Sequence, residues 1–471
     1  MDIEFLRKKG ALEIPSPNFC NQLLRSYVLW VHPFVPIIDL NQLLYAITAD
    51  DGIYQISLPL FHAIMFAGSA YVKPQYLTAA GYASRKDARK AFFQRARLLY
   101  DMDAEDNRFS LVQALILMSY WFETPDGQKD TWHWARLAFS SACALQYDVE
   151  PEGTEALNRR EHCVDPQRQQ HWRIIFWSAY CRYIITALGM RQPMKEANIE
   201  LDVPLLSPDD FSLDPLSPSL LATIGEDCWF LGNVQYNEQV VALCIAQTGL
   251  CIHLGRIMEC QYSDIGSRIG TTTEKTITLA PATSTAEIVS RNDGILTSWL
   301  SELPNNIRYH PESVVEGPSQ ALFVHRAFLK MLYLTALVTL HRSHAASDAV
   351  QNFSSQKLSY FKMEGAANEI TDIAYSLQSQ DLTQFLPLTA VTAILAAAMF
   401  NLQRTLSTDD NVRLASAARL FSCTLVMQSL QSVHYAADFG LSMLSSTIRK
   451  AGFQWYHQYL CAIGSTITEL L

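Results

Sequence analysis

The sequence predicts an all-α protein of many packed helices with negligible sheet. Three observations carry this. Apolar residues recur at helical spacing almost throughout the chain, and only two short runs read as strands. Of the 471 residues, 49% are apolar and 17% charged. A charged share below the ~25% of an average soluble domain leaves more side chains to bury. A chain this apolar is neither disordered nor low-complexity. At ~150 residues per domain, its length corresponds to about three domains.

The elements follow in order. Residues 18–30 carry Leu23, Leu24, Tyr27, Val28 and Trp30 on one helical stripe. That helix stops at Val31-His32-Pro33, because proline pushes its predecessor out of helical geometry. Residues 59–71 repeat the spacing with Leu60, Ile64, Phe66 and Ala67. Ser84 is placed to cap a helix over 85–100, since its oxygen can accept from free amides at a helix start. Residues 107–122 are apolar on every face and belong at the centre of the core, packed against 171–188. Residues 130–145 are also helical.

Beyond Arg191 the pattern breaks at Pro193, Pro204, Pro208, Pro215 and Pro218, which predicts an extended surface loop. Helix resumes over 226–260. Later helices are expected at 288–303, 319–342, 362–379, from Pro387, at 412–432 and at 434–449. The strand candidates are 54–58 and 276–279. The Thr/Ser/Gly-rich stretch 267–286 reads as a linker or surface loop. It divides a first helical half, 1–266, from a second, 287–471, and the two are expected to share one core.

Charge and cysteine bound the partners and the setting. Lys and Arg number 36 and Asp and Glu 46, a net charge of −10. That is a poor electrostatic match for DNA or an anionic membrane. Arg7-Lys8-Lys9 is too short for a DNA-reading element, and Arg85-Lys86 with Arg89-Lys90 reads as a solvated helix face. Residues 382–403 carry no charge, but they contain Pro387 and Asn401 and fall short of a bilayer span, so a buried core helix is expected. None of the ten cysteines forms a C-x-x-C pair, and several sit in apolar runs as buried thiols do. The opening Met-Asp-Ile-Glu lacks an apolar h-region. A reducing intracellular compartment is the resulting expectation, in which the sequon at Asn352 carries no meaning.

No motif identifies an activity. Phosphate loops, dinucleotide fingerprints, nucleophile elbows and H-E-x-x-H are absent from the sequence. Asp50-Asp51, Asp209-Asp210 and Asp409-Asp410 each lack the third aspartate of a metal–diphosphate helix and read as solvated turns. His434 and Asp438 have an acyltransferase-like spacing that is also an ordinary helical pair. His162 with Asp165, and His341 with His344, lack further ligands and read as surface or core-edge groups. Trp132, Trp134, Trp172 and Trp177 read as core. No catalytic, cofactor, metal or DNA-binding residue is assigned in this chain, and a ligand site is left unknown.

The order of segments carries a further signal. Glu4-Phe5-Leu6 and the run 9–15, then 23–39 with Trp30-Val31-His32-Pro33, resemble the opening of the fungal-specific transcription factor domain. This is the regulatory middle region of fungal zinc-cluster factors, of the cutinase transcription factor kind. Residues 111–122 and 129–135 look like that group's central helix pair. Residues 177–182 and 187–193, then Asp202-Val203-Pro204 and Asp209-Asp210-Phe211, resemble its next segment, and 299–304, 340–342 and 386–398 are similar too.

The resemblance implies an all-α regulatory domain of an RNA polymerase II transcription factor in a fungal nucleus. It points to control of lipid, carbon-source or secondary-metabolite genes. Such factors usually bind zinc through an N-terminal cluster of six cysteines. Here Cys20 is the only cysteine before Cys143, so that module is expected to be lost or cut off by a truncated gene model. Tyr183-Ile184 replaces the usual Asp-Arg pair, and 144–148 departs from the usual Leu-Gly-Leu-His-Arg.

The partners implied are transcriptional coregulators or a zinc-cluster factor, with DNA reached only indirectly, no membrane, and a homodimer as one arrangement. Two other readings stay open. A small-molecule-sensing or corepressor-binding helical module would show an enclosed pocket with convergent polar groups. An all-α enzyme would show clustered ionisable groups in a cleft.

Overall fold

Residues 3–48, 56–124, 129–146, 165–192, 194, 203–264, 279–281, 286–311, 317, 319–345 and 353–450 are described in a computed structural model of the chain. Among them are seventeen α-helices, four short 3-10 turns and one pair of three-residue strands. The all-α class is therefore correct. The first eight helices are α1 Ile3–Lys8, α2 Pro17–Trp30, α3 Leu40–Thr48, α4 Leu58–Ser69, α5 Pro74–Ala79, α6 Arg85–Asp101, α7 Arg108–Met118 and α8 Thr131–Ala144. Then come α9 Pro166–Met190, α10 Pro218–Ile224, α11 Val234–Gln261, α12 Ala286–Glu302 and α13 Ser319–Ala345. The last four are α14 Phe353–Ser379, α15 Ala390–Arg404, α16 Asp410–Gln431 and α17 Tyr435–Lys450.

Local chemistry explains most starts. Ser57, Ser84, Asn107, Asp130, Asp165, Ser217 and Asp409 each accept a backbone N–H of the first turn. Proline occupies the first helical turn of α2, α4, α5, α9 and α10, where its missing N–H costs nothing. The expected strand at 54–58 is not one where described: Ser57 is a cap and Leu58 begins α4. Of the other strand candidate only Leu279 lies within the described residues. Leu279–Pro281 pairs antiparallel with Tyr262–Asp264.

The helix expected over 107–122 ends at Met118, beyond which the N–H groups of Tyr120 and Trp121 turn back to the Leu117 and Met118 carbonyls. The helix expected at 362–379 begins earlier, at Phe353, and the one expected from Pro387 begins at Ala390. Four short helices, α1, α3, α5 and α10, were not read from the sequence.

Packing runs from helix to neighbouring helix. α4 is the hub of the first half and packs against α2, α6 and α7. α8 packs on α9, α9 on α11, and α11 on α13. α13 lies along α14, which leads through α15 and α16 to α17. One apolar cluster extends from Phe19 to Ile448. Among the described residues two helical stretches, Val234–Cys260 and Gln320–Arg342, are long and apolar enough to cross a bilayer, and both lie largely inside the fold. α15, which takes in most of the uncharged stretch and ends at Arg404, is a core helix with Ile394, Ala397 and Ala398 fully buried.

Candidate functional site

Of the expected solvated face of Arg85, Lys86, Arg89 and Lys90, only Lys90 stays largely exposed. Arg89 is buried and donates to the Val433 carbonyl at 2.7 Å and to the Tyr120 carbonyl at 3.1 Å. Lys86 pairs with Asp438, Lys90 with Glu123, and Arg85 donates to Val72 and Gln384. The face is a seam joining α6 to the C-terminal helices. On the far side of α7, buried Arg182 donates to the Ser119 carbonyl and hydroxyl at 2.6 and 2.8 Å. Thr131 donates to the Trp121 carbonyl. Three successive carbonyls past the end of α7 thus each have a donor, which satisfies groups that a helix end otherwise leaves orphaned. Burial lowers the pKa of both arginines to about 10, so both remain charged at neutral pH.

His434 and Asp438 do not act as a dyad. His434 Nε2 donates to the Leu386 carbonyl at 3.1 Å, and its Nδ1 lies 3.3 Å from Arg89 as an acceptor. Burial and the neighbouring arginine drop the ring's pKa to about 3, so it is neutral. Asp438 turns instead to Lys86 and Gln431. Asp210 is not in a solvated turn: its carboxylate is buried, accepts from Ser207 N and pairs with Arg173. Asp409 caps α16 and Asp410 pairs with Arg413. Asp50, Asp51 and His162 lie outside the described residues, and Asp165 caps α9.

His341 and His344 are inside the fold rather than at its surface. His341 bridges Asp293 and Ser359, and His344 meets Ser355. Hydrogen bonding to His341 and Lys362 holds the Asp293 carboxyl below its usual range. The histidines join α12, α13 and α14 in place of a metal cluster. Among the described residues no three His, Cys, Asp or Glu side chains are placed to share a metal ion.

Trp134, Trp172 and Trp177 are core, as expected, and Trp132 is half-buried against it. The indole N–H groups of Trp134, Trp172 and Trp177 donate to the carbonyls of Lys129, Ala142 and Pro204. Trp132 stacks on Tyr183 at 5.0 Å. Cys181, Cys244 and Cys251 are buried on α9 and α11, and burial raises the thiol pKa of Cys244 and Cys251. High thiol pKa makes them packing groups rather than nucleophiles.

Two adjoining hollows have the dimensions of a ligand site. A cavity of about 450 Å³ lies between the α2–α3 corner and the first turns of α9 and α11, with the Pro208–Asp210 turn along its edge. Its floor is apolar (Ile37, Ile174, Val240). Its polar lining includes His32, Asp39, Gln170, His171, Tyr236 and Asn237. Gln113 donates to the Ile37 carbonyl at 2.6 Å and lies 3.0 Å from His171 Nε2, and burial keeps that ring neutral by lowering its pKa. Next to it, a wider groove shares Ile38, Asp39, Gln42, Gln167 and His171 and carries Arg108 and Arg168. Sequence reasoning missed this place, because its walls come from segments about 200 residues apart whose polar residues are unremarkable in isolation.

The fold is thus a large helical domain whose conspicuous ionisable groups bind one another, with a polar-lined cavity beside them. Residues 24–277 match the family described as the fungal specific transcription factor domain. Cutinase transcription factor 1 beta of Fusarium vanettenii is 36% identical over 464 residues, 96% of this chain and 52% of that protein. Transcription factor cpaR of Aspergillus oryzae is 30% identical over 85% of this chain and 66% of its own length. Cutinase transcription factor 1 alpha of Fusarium vanettenii is 25% identical over 95% of this chain and 45% of its own length. No solved structure matches. The chain belongs to the fungal-specific transcription factor domain family, and it spans about half the length of the first of these relatives.

Proposed function

We propose that this chain is the regulatory domain of a fungal transcription regulator of the zinc-cluster type, acting in the nucleus and without enzymatic activity. The observation that carries this is the alignment of 96% of the chain with cutinase transcription factor 1 beta at 36% identity. The buried ionisable groups support it, since His434, Asp210 and Arg89 are consumed by structural contacts. Two halves, 1–266 and 287–471, work on this reading as one regulatory unit. Relatives named for cutinase and for the fusaric acid cluster favour lipid or secondary-metabolite genes as targets.

With a net charge of −10 and its basic helix face turned into the fold, the chain reaches genes through a DNA-reading module or a partner factor. Coregulators engage its helical surface, and zinc is not held by the chain itself. The test is a fusion of the chain to a heterologous DNA-binding module upstream of a reporter in a fungal host. A severalfold change in reporter output is expected, and an output indistinguishable from the bare module overturns the reading. In parallel, the purified chain is expected to bind duplex DNA no tighter than the roughly 10⁻⁴–10⁻⁶ M of non-specific binding at ~150 mM salt. A tight, sequence-selective shift by the chain alone contradicts the proposed division of labour.

A further inference from the structure

Helix α14 carries apolar side chains on two opposite faces. Met363, Ala367, Ile370 and Ala374 are buried and pack into the fold. On the other face Leu358, Phe361 and Tyr375 are 57%, 70% and 59% exposed. Among the described residues no other large apolar side chain is as exposed as Phe361. The three share one line. With Gly365, Asn368 and Asp372 they fall at 358, 361, 365, 368, 372 and 375. Alternating steps of three and four residues are the spacing of a stripe along which two helices pack lengthwise. Exposed apolar residues scattered singly are ordinary, whereas a row of them facing water marks a surface that another protein covers.

Charge and spacing together select the occupant. Lys357 and Lys362 stand beside the first half of the stripe, and Glu369 and Asp372 belong to the second. Lys362 and Glu369 are already paired within the chain, with Asp293 and Lys330. The difference therefore rests on exposed Lys357 and on Asp372, whose side chain meets Arg419 at 3.5 Å and stays 70% exposed. Glu364, between the two halves, is held by Arg404. A parallel copy of this stripe sets like charge against like. An antiparallel copy sets the basic end of each against the acidic end of the other. The spacing also reads the same in both directions. A two-fold axis between Gly365 and Asn368 pairs Leu358 with the partner's Tyr375, and brings Lys357, one turn from Phe361, toward the partner's Asp372.

We propose that the face of α14 from Leu358 to Tyr375 is a homodimer interface, with the helix antiparallel to the same helix of a second copy of this chain. One patch then serves both copies, as a two-fold contact requires. The interface places dimerisation within this chain itself and does not depend on the regulatory reading above. Its helical span is about 27 Å, a contact at the small end of specific interfaces, so the dimer is expected to dissociate on dilution.

Sedimentation velocity of the full chain over about 1–100 µM measures it. A mass rising with concentration toward that of two chains is expected. Phe361→Asp changes an exposed side chain, so circular dichroism is expected to stay native while dimerisation weakens at least about tenfold. Lys357→Glu and Asp372→Lys are each expected to weaken it about three- to tenfold. The double variant restores the pairing with its sense reversed and is expected to return to within about threefold of the native affinity. Leu414→Asp, at a 62% exposed position of α16, is expected to leave dimerisation unchanged. The proposal is overturned if the chain stays monomeric throughout, which leaves the stripe to a different protein. It is equally overturned if Phe361→Asp leaves the dimer intact, if Leu414→Asp weakens it as much, or if the double variant recovers nothing. No promoter enters this measurement, so a monomer removes the interface alone, and a silent reporter fusion removes the regulatory reading alone.

Discussion

Arg89 donates to the backbone carbonyl of Val433 across 344 residues of sequence, at 2.7 Å and out of contact with solvent. Its other partners are the Tyr120 carbonyl and the neutral ring of His434, with the guanidinium over the Phe66 ring at 5.0 Å. One side chain on α6 thereby fixes the end of α7 and the turn between α16 and α17. The contact rests on carbonyl dipoles and not on a carboxylate, so its worth lies in what its removal leaves unpaired.

Arg89→Met is therefore expected to lower stability by roughly 2–4 kcal/mol, from two buried carbonyls left without donors. Lys90→Met, one residue on in α6 and in an exposed pair with Glu123, is expected to change it by less than about 0.5 kcal/mol. Urea denaturation of the two variants decides. Equal effects would show that the buried arginine does no more than its exposed neighbour.

Trp177→Ala is expected to cost about 3–5 kcal/mol, as large aromatic truncations in cores do. The indole is 2% exposed and its N–H donates to the Pro204 carbonyl at 2.9 Å, so truncation also frees a carbonyl. A loss below about 1 kcal/mol in chemical denaturation would place the indole outside the core.

Two glycines in helices separate propensity from packing. A Cβ at Gly68 on α4 would overlap the Leu23 carbonyl of α2, whose backbone is fixed in its own helix. Gly68→Ala is expected to destabilise by about 1–3 kcal/mol through overpacking. At Gly365 on α14 nothing lies within 4 Å of an added Cβ. Gly365→Ala is expected to stabilise by about 0.5–1 kcal/mol, the ordinary helix preference. Thermal midpoints moving in the same direction would contradict the close approach of α4 to α2.

Acid is expected to weaken the fold through its buried histidines. Burial depresses the pKa of His62 to about 4 and of His325 and His434 to about 3. These rings stay neutral in the fold, while in the unfolded chain they bind protons near pH 6.5. The unfolded state therefore holds more protons below that pH, and stability falls as pH drops from about 6.5 toward 4. Each ring contributes up to about 1.4 kcal/mol per pH unit in that window. Above pH 7 the contribution is complete and flat. Denaturation midpoints between pH 8 and 4.5 measure the slope, and a stability independent of pH across that range would mean that these rings are not held neutral.

Local chemistry made much of the fold readable in the sequence. Ser84 three residues before Asp87, and the apolar stripe of Leu23, Leu24 and Tyr27, specify a cap and a buried face within one or two helical turns. Short helices such as Leu40–Thr48 escaped, because nine residues give too few periods to stand out from loop. The family resemblance was legible for the same reason, since it lives in ordered local segments. Whether Arg89 faces water or the Val433 carbonyl depends on what packs beside α6, and that neighbour arrives more than 300 residues later. The same holds for Asp210, which reads as a turn aspartate until Arg173 of α9 is laid against it. The Tyr236 hydroxyl and His32 Nδ1 are likewise buried without a partner only once the chain is folded. Backbone geometry and side-chain periodicity act over a few residues, so sequence alone settles them. Desolvation of a charge or a polar atom is a property of all the surfaces that meet there, and only the tertiary structure brings those surfaces together.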